Sequence, residues 1–260
     1  MNPTPDYIRR LAGKRVLVTA AGQGLGAAIA AELLERGCDV AIHYRSSAAG
    51  AEALVSRATF LGRRALAIRA DLTKREECEA CVDRAVEFLG GLDILVNNAG
   101  DLVARRRLGE IDESFLRASL AINLESMLWV TKRAQPALET AAPSAIVNLA
   151  SLAGRKGGHG GSLVYSTMKG AVITWTRALS AELGPKGVRV NCVAPGLILG
   201  SAFHATHTTP ESAAATIAGI PLGRAGTPED VARAVAYLAS EYDGFITGAT
   251  LDLNGGVYCA

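Results

Sequence analysis

The sequence has no excess of charge of either sign. Its 260 residues contain 27 Lys and Arg against 25 Asp and Glu, which gives a formal net charge of +2. Proteins that bind nucleic acid or anionic membranes through electrostatic attraction carry a marked basic surplus or patch. The balance therefore gives no general argument for such partners, and we expect neither nucleic acid nor a membrane to be one.

Long apolar runs and a cysteine framework are also missing. No apolar run approaches the ~20 residues that span a bilayer, and residues 1–10 contain prolines and charges but no apolar signal core. The five cysteines are odd in number and lack the spacing of a disulfide framework or of a paired metal site. We therefore expect a reduced, cytoplasmic protein without a bound metal; the cysteines are Cys38, Cys78, Cys81, Cys192 and Cys259.

Short apolar runs alternate along the chain with longer segments of helical periodicity. Strands that are apolar on both faces, each followed by a helix, indicate a parallel sheet covered by helices on both faces. The predicted fold class is α/β, a single domain over residues 1–260 with a doubly wound parallel sheet. The predicted strands are Arg15–Thr19, Asp39–Tyr44, Ala65–Arg69, Leu92–Val96, Ala145–Leu149, Val188–Val193 and Ile246–Leu253. The predicted helices are Gly24–Arg36, Ala48–Leu61, Lys74–Leu89, Asp112–Glu139, Leu163–Leu183 and Pro228–Ser240.

The longest stretch without a regular pattern covers about residues 197–220. Irregular segments of this length in a compact domain usually serve a function, so we predict a substrate loop here. Two histidines in the stretch, His204 and His207, lack a third candidate ligand, and a metal site is not expected.

A glycine-rich turn joins the first predicted strand to the first predicted helix. Residues 19–27 read T-A-A-G-Q-G-L-G-A, in which Gly22, Gly24 and Ala27 fit the form G-x-G-x-x-G/A. Glycines let the backbone approach a pyrophosphate, whose charge the helix N-terminus stabilises. The strand before the turn and the helix after it favour a dinucleotide site over an ordinary glycine turn.

The second predicted strand ends in Tyr44, Arg45 and Ser46. An NAD site commonly places an acidic residue here for the ribose 2′-hydroxyl, whereas an arginine accommodates the 2′-phosphate of NADP. Tyr44 stands about where the acid would be and Arg45 follows it. This favours NADP as cofactor, with NAD as the alternative. If Arg45 has no role in cofactor binding, it is a solvated arginine at the end of a strand.

Tyr165 and Lys169 are four residues apart and share one face of a predicted helix. A phenol with a pKa near 10 is a poor base at neutral pH, and an adjacent ammonium group lowers that pKa. Ser151 lies just beyond a predicted strand, where open α/β sheets place ligands, and its hydroxyl is suited to donate to a carbonyl oxygen that gathers charge. A Tyr–Lys pair alone is usually structural, so it indicates a catalytic role only in combination with the other motifs.

Together these segments resemble the short-chain dehydrogenases/reductases, over about residues 13–256. Residues 19–26 resemble the family's TGxxxGxG cofactor loop, and residues 97–100 read N-N-A-G, another family motif. Residues 191–196 and 223–230 are also similar to family segments. Ser151 with Tyr165 and Lys169 matches the catalytic serine and the YxxxK motif. The order of these motifs is far more specific than any one of them.

The resemblance implies a Rossmann-type fold and direct hydride transfer between a nicotinamide and a substrate carbon. It implies that Tyr165 is the acid or base, and that Lys169 holds the nicotinamide ribose and lowers the pKa of Tyr165. It also implies that Ser151 polarises the substrate oxygen and that Asn123 supports a proton relay. It also implies a homotetramer that assembles through the two long helices. The implied cofactor contacts are Gln23, Gly24, Leu25, Gly26, Arg45, Ser46, Asp71, Leu72, Asn98, Tyr165, Lys169 and Ile198.

Three positions depart from the family pattern. Ala20 replaces the first glycine of the cofactor loop, which adds a methyl group but no charge. The spacing from Ser151 to Tyr165 is one residue longer than usual, and the glycines of residues 157–161 are placed to absorb the insertion. Gly200 stands where the family often has a threonine for the carboxamide.

A small polar substrate of the sugar or polyol type is favoured. The alternative is a 3-oxoacyl-(acyl-carrier-protein) reductase, but residues 139–144, next to the serine strand, carry no positive charge to meet an acidic carrier. An alternative of another class is a non-catalytic dinucleotide sensor, which is disfavoured because Tyr165 and Lys169 are both present.

A basic run follows the N-N-A-G motif, in Arg105, Arg106 and Arg107. It either attracts an anionic substrate or forms a solvated basic turn. His159 is a candidate for a polar substrate contact.

Overall fold

The computed structural model describes residues 11–200, 208–240 and 244–260. Seven strands form one sheet in the order β3-β2-β1-β4-β5-β6-β7, and every neighbouring pair is parallel. This confirms the predicted α/β fold with a doubly wound parallel sheet. The strands are β1 Arg15–Val18, β2 Asp39–Tyr44, β3 Ala65–Arg69, β4 Ile94–Asn97, β5 Ser144–Leu149, β6 Val188–Pro195 and β7 Thr250–Leu253.

Helices cover both faces of this sheet. The helices of the described ranges are α1 Gly24–Glu35, α2 Ala48–Phe60, α3 Arg75–Leu89, α4 Glu113–Leu120, α5 Ser126–Thr140, α6 Ala153–Lys156, α7 Leu163–Leu183, α8 Pro210–Ala218 and α9 Pro228–Ala239. A π-helical turn, Ala121–Glu125, joins α4 to α5. None of the helices in these ranges combines the length and apolarity that a membrane crossing requires.

The alternation of side chains along β1 divides the core into two layers. Val16 and Val18 pack in one cluster with α1, α2 and α9, whereas Leu17 packs on the opposite face with α3 and α5. All three side chains are fully buried. Since successive side chains of a strand point to opposite faces, a strand that is apolar at every position needs a helix layer on each side.

The predicted helix Asp112–Glu139 is present as α4 and α5, joined without a break by the π-helical turn. The prediction that the stretch 197–220 is irregular was wrong, because the stretch contains α8. Thr209 caps α8, because its side chain accepts a hydrogen bond from the Ser212 amide at 3.2 Å, and Pro210 occupies the first helical turn, where its missing N–H costs nothing. Residues 201–207 of this stretch, with His204 and His207, lie outside the described residues.

The chain order of the strands reverses between β1 and β4. The chain passes from β3 at one edge of the sheet back to β4, which pairs with β1 on the other side. In open α/β sheets, ligands bind beyond the carboxyl ends of the strands at such a point. The turn after β1, the N-N-A-G segment after β4 and Ser151 after β5 are all brought to this edge.

Close packing of α6 against α7 fixes the elements that carry Ser151 and Tyr165. A Cβ atom added at Gly154 would lie 2.5 Å from the carbonyl carbon of Lys169, a distance that real Cβ atoms do not show. The short helix after Ser151 therefore lies directly on the backbone of α7. Any side chain at residue 154 would push the two elements apart.

Candidate active site

A cavity of about 580 Å³ opens at the carboxyl ends of β1, β4, β5 and β6. The predicted site residues that line it are Gln23, Gly24, Leu25, Gly26, Asn98, Ser151, Tyr165, Lys169 and Ile198. The predicted residues outside its lining are Arg45, Ser46, Asp71, Leu72 and Asn123. The cavity is also lined by residues that sequence reasoning did not select, among them Leu102, Lys156, Asn254 and Val257, since no local pattern marks them.

The glycine-rich turn is held in place by Thr19 and Asn98. The Thr19 hydroxyl accepts hydrogen bonds from the amides of Asn98 and Ala99, both at 2.9 Å. The Asn98 side chain donates to the carbonyls of Thr19 and Ala20, at 2.9 and 3.1 Å. A Cβ added at Gly26 would lie 2.2 Å from the Ala20 oxygen. The turn therefore packs closely on the start of α1, and its glycine is required by space.

Ala20 adopts a left-handed conformation, with φ of 50°. Glycine reaches this region without steric cost, whereas an L-residue is disfavoured there by roughly 1–2 kcal/mol. This explains why the family motif has a glycine at this position. The added methyl group does not disrupt the turn, because the hydrogen bonds to its backbone are formed.

His43 links the turn to β3, and sequence reasoning missed it. The Ala20 amide donates to His43 Nδ1 at 2.8 Å, and His43 Nε2 lies 3.1 Å from the Ala70 carbonyl. The ring must therefore be neutral, with its proton on Nε2. Burial lowers the pKa of His43, and this outweighs the hydrogen bond to Ala70 and the charge of Asp71. A histidine within an otherwise apolar strand was the signal available in the sequence.

The end of β2 packs directly on the glycine-rich turn. A Cβ added at Gly22 would lie 2.6 Å from the Ser47 oxygen and 3.0 Å from Tyr44 Cβ. Arg45 and Ser46 are therefore held next to the turn. Although burial acts to raise the pKa of Asp71, hydrogen bonds from Thr73 and the positive charges of Arg45 and Lys74 lower it. Arg45 thus lies close to an acid as well as to the turn.

Leu72 serves the core. Its side chain is 3% exposed and packs among the apolar residues of α3. Ile198 is equally buried and forms an isolated bridge with Gly226 just beyond β6. Of these two, only Ile198 reaches the cavity wall.

Ser151, Tyr165 and Lys169 converge at one place in the cavity. Ser151 and Tyr165 are hydrogen-bonded to each other. Lys169 is buried, donates to the Leu149 carbonyl at 2.8 Å and lies 5.7 Å from the centre of the Tyr165 ring. Each hydroxyl of the pair faces the same space as the other, which suits them to bind a single substrate oxygen.

The expected lowering of the Tyr165 pKa by Lys169 is not found in this structure. Burial raises the pKa of Tyr165 to about 12, although the hydrogen bond from Ser151 acts in the opposite direction. Burial also lowers the pKa of Lys169 to about 8, because the charged ammonium is removed from water. Tyr165 therefore rests as a phenol, the form that donates a proton.

Asn123 lies on the π-helical turn and acts on the backbone of the next segment. Its side chain donates to the Asp101 carbonyl at 2.7 Å and accepts from the Asp101 amide at 3.1 Å. A Cβ added at Gly100 would lie 3.0 Å from Asn123 Oδ1 and 2.8 Å from Lys169 Nζ. The absence of a side chain at Gly100 therefore leaves room for both Asn123 and Lys169. π-helical turns occur frequently at functional sites.

Comparisons with known proteins agree with this geometry. The family model described as enoyl-(acyl carrier protein) reductase matches residues 19–258. The 3-oxoacyl-[acyl-carrier-protein] reductase FabG of Staphylococcus aureus is 36% identical over 249 residues, which are 94% of this chain and 98% of that protein.

Two solved structures are similar over nearly the whole chain. A short chain dehydrogenase from Burkholderia cenocepacia in complex with NADP is 35% identical with a TM-score of 0.89, covering 95% of this chain and 99% of that one. An NADH-dependent reductase, A1-R′, responsible for alginate metabolism, is 34% identical with a TM-score of 0.88, covering 96% and 99%.

The fold and the site define a dinucleotide-binding α/β enzyme of the Rossmann type. The chain belongs to the short-chain dehydrogenase/reductase family, and it is an NAD(P)-dependent oxidoreductase. The residues present fit such a cofactor, because the N-terminus of α1, with Gly24 and Gly26, lines the open cavity, and a helix N-terminus stabilises a pyrophosphate.

The buried His43 predicts a pH dependence of stability. Its folded-state pKa lies below the ordinary value of 6.5, so the unfolded chain binds the proton more readily. The stabilisation is present above about pH 6.5 and is lost as the pH falls below it. Because Gln does not titrate but keeps an acceptor for the Ala20 amide, the free energy of unfolding should fall more steeply between pH 6.5 and 5 in the wild type than in His43→Gln. Urea titrations at each pH measure this, and parallel pH curves would contradict it.

Proposed function

We propose that this enzyme interconverts a hydroxyl and a carbonyl group on a small polar substrate of the sugar or polyol type. The observation that carries the proposal is the hydrogen-bonded pair of Ser151 and Tyr165 in the wall of the cavity, with Lys169 buried one helical turn beyond. The bound nicotinamide supplies or accepts the hydride. The protein supplies the site for the substrate oxygen and the proton.

In the reduction direction, the Tyr165 hydroxyl donates its proton to the substrate oxygen as that oxygen gathers negative charge. The Ser151 hydroxyl donates a hydrogen bond to the same oxygen and stabilises the charge. In the oxidation direction, the Tyr165 phenolate accepts the proton of the substrate hydroxyl while the hydride leaves the carbon. Burial raises the pKa of Tyr165, so its hydroxyl is protonated in this structure, as proton donation in the reduction direction requires.

The chemistry of the cavity wall supports a polyhydroxy substrate. Hydroxyl groups recur around it, and each both donates and accepts hydrogen bonds; their residues are Ser151, Ser162, Tyr165, Thr208, Ser212 and Thr216. The similarity to a reductase responsible for alginate metabolism supports the same class.

A 3-oxoacyl-(acyl-carrier-protein) reductase is the second candidate, and the similarity to FabG favours it. Such an enzyme needs basic groups to meet an acidic carrier protein. Lys186, the basic residue near the end of α5, forms an ion pair with Glu139 at 2.8 Å. That pairing leaves less positive charge there for a carrier, and we therefore favour the sugar or polyol substrate.

Replacement of Tyr165 tests the mechanism. The variant Tyr165→Phe removes the proton donor without changing the ring, so kcat should fall by about 100-fold or more, while NADPH binding changes by less than about threefold. Turnover is followed as the change in NADPH absorbance, and cofactor binding by fluorescence titration. Tyr237→Phe, an exposed tyrosine on α9, is the matched control. Undiminished kcat in Tyr165→Phe would overturn the mechanism.

We propose NADP as the preferred cofactor, because Arg45 is held beside the glycine-rich turn and a guanidinium binds a phosphate through paired hydrogen bonds. Arg45→Ala should raise KM for NADP by about tenfold, since the 2′-phosphate loses its partner. KM for NAD, which lacks that phosphate, should change by less than about twofold. Equal changes for both cofactors would show that Arg45 does not read the phosphate.

We also propose a homotetramer that assembles through α5 and α7. Trp129 and Trp175 lie on these helices and are only half-buried, and the Trp175 indole nitrogen has no hydrogen-bond partner among the described residues. Light scattering at micromolar concentration should give the mass of four chains. The mass of a single chain, 27.0 kDa, would contradict it.

A further inference from the structure

The charged side chains that the described residues contribute to the wall of the cavity all have the same sign. Among the described residues that line it, Arg105, Lys156 and Lys169 are cationic, and there is no Asp or Glu. Lys169 donates a hydrogen bond to the Leu149 carbonyl and lies beside Tyr165. Arg105 and Lys156 belong to segments that neither form the glycine-rich turn nor carry the catalytic pair.

Arg105 lies on a loop that contacts the loop directly after Lys156, the last residue of α6. The Arg106 amide donates to the Gly161 carbonyl at 2.9 Å, and the Arg105 guanidinium donates to the Gly160 carbonyl at 3.3 Å. Gly161 has φ of 78°, and a Cβ there would lie 3.0 Å from Arg105 Cβ. The two loops, 101–107 and 157–161, therefore close one side of the cavity together.

The second loop has a defined turn that fixes His159. The Ser162 hydroxyl and amide both donate to the His159 carbonyl, at 2.5 and 3.1 Å. A Cβ added at Gly158 would lie 2.1 Å from Ser162 Oγ. A side chain at residue 158 would therefore collide with Ser162 as it is placed in this turn. The segment 156–161 therefore has a defined turn, and Lys156 and His159 of this segment line the cavity.

The arginines next to these two cations in the chain, Arg106 and Arg155, form ion pairs within the fold. Arg106 pairs with Asp112 at 2.5 Å. Arg155 forms two hydrogen bonds with the carboxylate of Asp252, at 3.0 and 2.9 Å. Lys156 forms no ion pair with any described residue, although it lies directly beside Arg155 in the chain. Arg106 and Arg155 therefore hold the fold, whereas Lys156 presents a charge to the cavity.

We propose that this side of the cavity is a subsite for an anionic end group of the substrate, a carboxylate or a phosphate, bound by Lys156 and Arg105 with His159 adjacent. This inference rests on the proposed function and narrows the substrate to a sugar acid, a hydroxy acid or a sugar phosphate. Ser151 and Tyr165 bind the reacting oxygen, and the two cations hold the far end of the molecule. An ammonium and a guanidinium form charge-assisted hydrogen bonds with either anion.

Binding to the NADP complex tests the subsite without requiring turnover. Calorimetric titrations compare glycerate, tartrate and gluconate with glycerol, threitol and sorbitol, and compare sorbitol 6-phosphate with sorbitol. We expect at least one anion to bind about tenfold more tightly than its neutral counterpart at low salt, and the difference to shrink as salt screens the charges. Neutral compounds that bind as tightly as every anion would overturn the proposal, and the acid and phosphate arms identify which end group is preferred.

Charge-removing variants locate the subsite. Lys156→Met and Arg105→Met should each raise KM for the anionic substrate by about tenfold and leave kcat and KM for NADP within about twofold, with Lys156→Arg restoring the wild-type KM. The matched control is Arg107→Met, which removes the same charge from the same loop but not from the cavity wall. An equal effect of Arg107→Met would overturn the subsite, because the attraction would then be diffuse. An equal rise in KM for NADP would also overturn it, because the cations would then serve the cofactor.

The two proposals fail in different ways. An anion that binds through Lys156 and Arg105 but is never turned over would overturn the proposed function and support the subsite. Turnover of polyols and acids that is insensitive to both variants would overturn the subsite and support the proposed function.

Discussion

The hydrogen bond from Lys169 to the Leu149 carbonyl joins α7 to the carboxyl end of β5. It is 2.8 Å long and buried. Tyr165 lies one turn earlier on the same helix and Ser151 two residues beyond Leu149 in the chain, so this bond sets how far the two hydroxyls are from each other. The close contact of Gly154 with the backbone of Lys169 supports the same arrangement from the other side. The geometry of the candidate site therefore depends on how α7 is seated on the sheet.

A buried polar network also connects α7 to the sheet, through β5 to β4. Asn97 at the end of β4 donates to Asn148 on β5, and Asn148 donates to Thr176 on α7, each at 2.9 Å. In a region of low dielectric, such bonds are costly to leave unmade. They fix the register of α7 along the strands more specifically than apolar packing would. The first asparagine of the N-N-A-G segment thus belongs to the scaffold, and the second, Asn98, holds the glycine-rich turn.

Much of the fold could be predicted from the sequence because its strands are short, apolar on both faces and separated by periodic helices. The glycine-rich turn and the spacing of Tyr165 and Lys169 likewise carry local signals. The role of His43 could not be predicted, because its two partners come from the turn after β1 and the end of β3. The same holds for the raised pKa of Tyr165, which results from burial by residues distant in sequence. The π-helical turn that bears Asn123 has no compositional mark within a long helical pattern.

Different kinds of group surround the cavity at the same edge of the sheet. The glycine-rich turn provides backbone N–H groups and a helix dipole for a pyrophosphate without a charged side chain. The substrate side of the cavity instead has cationic side chains and hydroxyls. We therefore expect the choice of substrate to be determined by the two loops around residues 101–107 and 157–161, and the choice of cofactor by the residues after β2.

The absorbance change at 340 nm, recorded with NADP and with NAD across sugars, sugar acids, polyols and 3-oxoacyl thioesters, tests the proposed function most directly. Turnover of a sugar, a sugar acid or a polyol is the predicted result. Turnover confined to the oxoacyl thioesters, or no turnover of any compound by protein that binds the cofactor, would contradict it.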